Sequence, residues 1–314
     1  MDFQYPSTIS CARKEKPLEI VTVGILSPAE VYAVENVPTW DKGQEWTSRA
    51  DYISEDASIV AIAAKGWGLN VGMVAGSLGD DISGHNVLRE LRRIGVEGDF
   101  RIDKSIRTPY EIVFSDRSGG RTYIWDRKLE VLETLASADV SIVGRSQHLY
   151  ADWYDWPFNK RSLIEACSLG VPVLINMEDK HLDPKLSEAL YPFADTIQIS
   201  LGNFADDPNL GFIDNAFHMG VQSVLITGGS SGCRYVSQSE SFILEAPSVH
   251  VIDANGAGAI FSTGYLFGVT SGFNKRDSMA FAVAAASLHC QQLGPTTEAL
   301  VTVRSVADTI TIRE

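Results

Sequence analysis

Apolar runs alternate with amphipathic stretches along most of the chain, and their spacing predicts strands and helices in turn. The run EIVTVGIL (19–26) predicts a buried strand. Residues 56–66, DASIVAIAAKG, set small and apolar side chains at helical spacing and end in glycine, a helix-stop signal. NVGMVAG (70–76) predicts another strand, followed by a loop and the helix SGHNVLRELRRIG (83–95). Further on, SIVG (141–144), VPVLIN (171–176), DTIQIS (195–200) and SVLITGG (223–229) read as parallel-sheet strands. Helical segments near 159–169, 183–193 and 209–219 separate them. This alternation predicts an α/β fold, a mostly parallel central sheet flanked by helices on both faces.

Two regions break the rhythm. Residues 31–54 and 106–127 alternate apolar and polar positions around a Gly-Gly turn and read as antiparallel strands. They predict a small β-sheet that projects from the main domain as a lid; the alternative is a set of edge strands on the main sheet. The domain is expected to run from 19 to 314, behind a flexible leader over 1–18 that has basic residues but no apolar core after them. No internal repeat or low-complexity segment is visible.

Composition narrows the partners. Of the 314 residues, 45% are hydrophobic and 21% charged, as in an ordinary globular domain, and no apolar run approaches the roughly 20 residues of a membrane helix. The net charge of −14 argues against a nucleic-acid partner, which needs a basic face. It leaves room for one phosphorylated ligand held by backbone amides and a few Arg or Lys. Cys11, Cys167, Cys233 and Cys290 form no CxxC pair and read as free thiols of a reducing, cytoplasmic compartment. The histidines show no zinc-ligand spacing.

The candidate chemistry lies in VIDANGAGAIFSTGYLFG (251–268), where a strand end runs into a Gly-rich turn and then a helix starting near Ala259. Gly256 and Gly258 let the backbone come close to an anion, with helix N-terminal amides pointing at it. With Asp253 before it and Phe261 and Gly264 after it, the segment resembles the ribokinase-like (PfkB) carbohydrate kinase signature D-T-x-G-A-G-D-x-F-x-x-G. Further stretches resemble that family in the same order. They are VGIL…VENVP (23–38), VAGSLGDDISGHNVLRELRRIGV (74–96), VLITGGSSGCRYV (224–236) and AFAVAAASLHCQQLG (280–294).

The resemblance implies ATP, with Mg2+, transferring its γ-phosphoryl group to a hydroxyl of a sugar, a modified or anionic sugar, or a nucleoside. Gly256, Ala257 and Gly258 then form the anion hole, and Thr227, Gly229, Gly232, Asn255, Ala286 and His289 line the nucleotide. Ser27, Ala29, Asp56 and Arg127, or its neighbour Arg121, face the acceptor. Asp253 either braces the turn or holds a monovalent cation, K+, beside it. Trp153 and Trp156 read as packing residues.

The departures fall on the chemistry. Ala259 stands where the family carries its general base, Ala29 where an Asp grips substrate hydroxyls, and Ser54-Glu55-Asp56 where a Gly-Gly pair opens the sugar-binding helix. Ser200 to Asn203 aligns with the N-x-x-E motif that arranges magnesium, leaving Asn203 as a weak remnant of that shell. A single substitution silencing a kinase and a natural pseudokinase that binds or assembles are both consistent with Ala259. The lid residues Tyr110, Ile112, Phe114, Tyr123 and Trp125 alternate as for a two-sided contact and predict a homodimer through the lid.

Overall fold

The computed structural model describes residues 17–36, 38–116, 120–202, 211–295 and 297–314. The expected leader up to 16, with Cys11, and Asn203 lie outside the described residues.

The buried apolar runs form a nine-stranded sheet. Its parallel part comprises β1 (Leu18–Gly24), β4 (Val71–Ala75), β9 (Ser146–Asp152), β10 (Val173–Glu178), β11 (Thr196–Ser200) and β12 (Ser223–Thr227). Three antiparallel strands that the sequence pattern did not reveal extend one edge: β13 (Cys233–Ser237), β14 (Ser241–Leu244) and β15 (Ile312–Arg313). The strand order is β15-β14-β13-β12-β11-β10-β9-β1-β4. One face carries Ile20, Tyr150, Leu174 and Leu225 into a core closed by α1 (Asp56–Gly66), α7 (Ala257–Thr270), α8 (Lys275–His289) and α9 (Leu300–Ala307). The other face buries Val21, Leu149, Ile175 and Ile197 with side chains of α3 (Leu129–Ala136), α4 (Lys160–Leu169), α5 (Pro184–Leu190) and α6 (Gly211–His218).

The expected strand SIVG is instead a 3₁₀ helix, Ser141–Arg145, and the strand follows it at β9. The Ser141 amide donates to Asp139 Oδ1 at 2.9 Å, a local side-chain turn that diverts the chain before it can extend. The run 83–95 forms α2 (Ile82–Ile94), capped by the Asp81 carboxylate, which accepts from the Gly84 amide. Beneath it lies a two-stranded sheet of β5 (Leu78–Gly79) and β6 (Ile102–Asp103). Gly84 is dictated by close approach, because a Cβ there would lie 2.3 Å from the Gly79 carbonyl oxygen.

The rhythm-breaking regions do form a separate four-stranded sheet, in the order β3-β2-β7-β8. Its strands are β2 (Ser27–Val34), β3 (Trp46–Ser54), β7 (Tyr110–Asp116) and β8 (Arg121–Asp126). Two details depart from expectation. The sheet begins at Ser27, so that Ser27 and Ala29 belong to its first strand, and β2 pairs with β7 in parallel. The chain returns to β7 through α1, β4 and α2, a long crossover that allows two strands to run the same way.

Candidate active site

The C-terminal ends of the parallel strands, where α/β sheets place their ligands, meet the lid and the N-termini of α1 and α7. The α7 helix begins at Ala257, two residues before the expected start, with Gly256 at its N-cap (φ 79°, ψ 0°). That left-handed conformation favours glycine; the Ala257 amide donates back to the Ala254 carbonyl at 3.3 Å, and the amides of Gly258 and Ala259 follow in the first turn at the helix N-terminus.

The Gly-rich turn is held from four sides. Asp253 is fully buried, and its two oxygens accept the amides of Asn255 at 2.9 Å and Gly294 at 3.0 Å. Each oxygen thus braces the turn through one amide. His289 Nε2 donates to the Asn255 carbonyl at 2.7 Å, which turns this ring toward the loop at the C-terminal end of α8. From the lid, Asn255 Nδ2 donates to the Tyr52 hydroxyl at 2.6 Å and Arg121 Nη1 donates to the Ala254 carbonyl at 3.0 Å. Ala259 itself is fully buried in the α1/α7 core, offering a methyl group where the resemblance implies a carboxylate.

On the expected nucleotide side, Thr227 ends β12 and its hydroxyl donates to the Ile199 carbonyl at 3.1 Å. Gly229 and Gly232 both have positive φ in the β12–β13 turn, and a Cβ on Gly232 would fall 1.9 Å from the Leu244 carbonyl oxygen. Ala286 lies half-buried on α8, which ends at His289, five residues short of the expected 280–294 boundary.

The acceptor side has a different character. Ala29 is in register with Tyr52 on one side and Glu111 on the other, so the lid's inner face carries Glu111 beside the methyl group. Ser27, opposite Ser54, is buried. Ser54 donates to the Glu111 carboxylate. Glu55, at the N-cap of α1, adopts φ 76° and ψ 132°, a backbone conformation suited to glycine and held here by a residue with a Cβ. Burial pushes its carboxyl up to about 8, against the opposing pull of Arg127. Asp56 is pushed up to about 7 by burial and by the negative charge of Glu178; Asn176 Nδ2 donates to it at 3.0 Å.

Arg127, expected to face an acceptor anion, is matched instead by buried Asp155 and by Glu55 at 3.9 Å, and its guanidinium lies 4.8 Å from the Tyr154 ring centre. Asp155 is raised to about 6 by burial, with Arg127 opposing. The lid aromatics divide: register puts Tyr123 and Trp125 on the inner face with Val113 and Glu111, and Tyr110, Ile112 and Phe114 on the outer one.

Glu111, Asp152, Asp155, Asn176 and Gln198 were not picked out by motif. A signal for three of them was present, since Asp152, Asn176 and Gln198 are polar residues directly after apolar neighbours within strand runs, Asp152 at the strand end where such folds bind ligands. They are neighbours in register across β9, β10 and β11 and therefore share one face. Gln198 Nε2 donates to the Gly258 carbonyl at 3.1 Å, and Ser262 Oγ donates to Gln198 Oε1 at 2.6 Å. One polar row thus leads from the acceptor side to the first turn of α7.

A family model described as pfkB family carbohydrate kinase matches residues 56–302. The chain belongs to that family. Among curated relatives, an uncharacterized sugar kinase of Archaeoglobus fulgidus is 23% identical over 209 residues, covering 63% of this chain and 82% of that protein. The uncharacterized sugar kinase YeiI of Escherichia coli is 26% identical over 233 residues, 67% of this chain and 62% of that protein. Among solved structures, the microbiome-derived acarbose kinase Mak1 superposes with TM-score 0.78 at 19% identity, covering 93% of this chain and 100% of that one. An E. coli putative ribokinase II in complex with ATP and Mg2+ gives TM-score 0.78 at 21% identity, covering 93% and 99%. These likenesses give the ribokinase-like α/β fold with its small lid sheet. Among the described residues no helix is long and apolar enough to cross a membrane, and no group of three His, Cys, Asp or Glu side chains converges as for a metal.

Proposed function

We propose that this chain descends from ATP-dependent kinases acting on a hydroxyl of a sugar or sugar derivative, and that the protein as it stands binds nucleotide but transfers its phosphoryl group poorly. The observation that carries this reading is the Gly256 cap on α7, with its turn braced by Asp253, His289, Tyr52 and Arg121 while residue 259 is alanine. An anion hole of backbone amides survives the change of one side chain, whereas proton removal does not. The γ-phosphoryl group would sit against Gly256–Gly258 and the nucleotide would run toward Thr227–Gly232 and Ala286. The acceptor would lie under the lid between Ser27, Ala29 and Asp56. Magnesium would arrive with the triphosphate, keeping several waters and lowering the charge of the phosphates. The chain's own task is then to hold the reacting groups in line, with Gln198 and Ser262 fixing the carbonyl side of the first α7 turn.

Calorimetry with ATP or ADP and magnesium tests this, with binding at millimolar nucleotide or below expected. Heat-silent titrations would instead favour an assembly partner that needs no nucleotide. The acceptor side supports a second reading, a natural pseudokinase, because its changes extend from 29 through 54–56 and do not stop at one residue. The half-buried aromatics on the outer lid face, Tyr32 stacked on Phe114 with exposed Ile124 nearby, support a homodimer through that sheet, which light scattering at micromolar concentration would register.

A further inference from the structure

Asp152 is the one member of the polar row that the fold leaves incomplete. It is fully buried at the end of β9; its Oδ1 accepts the Tyr150 hydroxyl at 2.7 Å, and its Oδ2 has no hydrogen-bond partner among the described residues. Its direction follows from register. Asp152 pairs with Asn176, neighbours in parallel strands share a face, and the Asn176 amide on that face reaches Asp56 at the N-terminus of α1. The free oxygen therefore belongs to a carboxylate directed to the same place as Asp56.

Around Asp152 itself the neighbouring charges are negative. Asp155 and Glu178 are the other carboxylates bearing on Asp152, and burial followed by Asp56 drives its carboxyl well above the usual range. Arg127 is committed to Asp155 and Glu55, while Arg121, whose hydrogen bond goes to the Ala254 carbonyl, offsets part of the charge at Asp56. A buried carboxyl oxygen without a hydrogen-bond partner, beside a second acid whose ionisation burial opposes, is a costly arrangement that a ligand cation would relieve by letting the acids ionise against it. A metal ion is the poorer candidate, because no three-ligand group converges among the described residues.

We propose that the acceptor side of this pocket is a cation site, taking a hydroxyl compound that carries a primary ammonium group, of the amino-sugar class, with the ammonium held between Asp56 and Asp152. This rests on the kinase-lineage reading above and specifies its acceptor. The ammonium brings three donors to the unpartnered oxygen and its neighbour. It also sits two strands from Gln198, hence about 10 Å from the residue that touches Gly258, which leaves a sugar ring's breadth between amine and anion hole. Trp125, exposed on the inner lid face beside Glu111, offers that ring an apolar surface.

The test is calorimetry at saturating ADP and neutral pH with glucosamine, galactosamine and mannosamine, each against its neutral parent hexose and its N-acetyl derivative. At least one amine should bind about tenfold or more tightly than both counterparts, as a charge-assisted hydrogen bond would give. That preference should vanish in Asp152→Asn and in Asp56→Asn while ADP affinity is kept, and ligand-free Asp152→Asn should melt no lower than the parent. If Asp152→Asn does not fold, Asp56→Asn carries the comparison. Equal binding of amine and neutral sugars, or no sugar binding while ADP binds, overturns the cation site and leaves the nucleotide reading intact. A preference that survives both substitutions overturns it as well, as does magnesium titrated alone that binds in an Asp152-dependent way. Loss of ADP binding in the parent chain removes the kinase lineage reading itself.

Discussion

The two halves of the site differ in what they are made of. The side proposed for phosphate is backbone: a left-handed glycine, a helix N-terminus, and side chains that hold that backbone still. The side proposed for the acceptor is side chain: Glu55, Asp56, Glu111, Asp152 and Asp155, with Arg127 matched to Asp155 and Glu55. The family signature survives on the first and breaks down on the second. A backbone site needs only that glycine stay where φ is positive, so many surrounding residues can change without erasing it. A side-chain site is remade whenever one of its residues changes, and here the remaking has filled it with acid.

The comparison breaks most sharply at Ala259, the one position of the backbone half where the function is a side chain's. Ala259→Asp should raise phosphoryl transfer from ATP by about 10²- to 10⁴-fold, roughly 3 to 5.5 kcal/mol of barrier, on an acceptor the pocket binds. Nucleotide affinity should stay nearly unchanged. Transfer assays over a panel of sugars, amino sugars and nucleosides, corrected for ATP hydrolysis, provide the check. If ATP binds and no acceptor responds, the acceptor half has moved beyond repair by one carboxylate, and the pseudokinase reading gains.

On the acceptor half, Glu55 combines a glycine-type backbone conformation with a nearly buried carboxyl. Glu55→Gly should stabilise the chain by about 1–3 kcal/mol, the usual scale of such strain, seen as a higher urea midpoint. It should also flatten the pH dependence. Glu55 and Asp56 are held protonated in the folded chain up to about 8 and about 7, while their unfolded counterparts ionise near pH 4. The folded state then binds more protons than the unfolded one, so stability falls as pH rises from about 4.5 to about 8. A parent melting temperature that climbs across that window would contradict the burial of these groups.

The smallest expected effect lies back on the phosphate side. Gly256→Ala asks an L-residue to take φ 79°, at about 1–2 kcal/mol, and places a Cβ 3.3 Å from Ile59 Cδ1. ATP affinity should fall by about tenfold with the fold retained, because the turn relaxes away from the geometry that aims the amides. Unchanged affinity would mean that the nucleotide does not use this turn.

The same division governs how much could be read before the structure. Long periodic elements such as α1 and α2, and apolar strands such as β4 and β11, were legible because burial on one or both faces writes itself into spacing. The strand-like run SIVG was misleading, since a four-residue apolar run carries no period and the Asp139–Ser141 turn decides it. The turn before α7 was legible because Gly256 takes a left-handed φ that favours glycine. The pairing of Arg127 with Asp155 and Glu55 was not legible, because those partners lie 28 and 72 residues away in the chain and no local pattern records them. Asp152 was missed for a related reason: its importance depends on what stands beside it across the sheet.

The links from the lid to the phosphate turn, Arg121 to the Ala254 carbonyl and Tyr52 to Asn255, have a thermodynamic consequence. In the function proposed here they join the acceptor's cover to the nucleotide's cradle, so a ligand that moved the lid would also act on the turn. Any factor by which an acceptor changes ATP affinity must then equal the factor by which ATP changes acceptor affinity. If the chain holds nucleotide but transfers its phosphoryl group poorly, as proposed above, that reciprocity is what would remain for selection to act on: two occupancies, each reporting on the other.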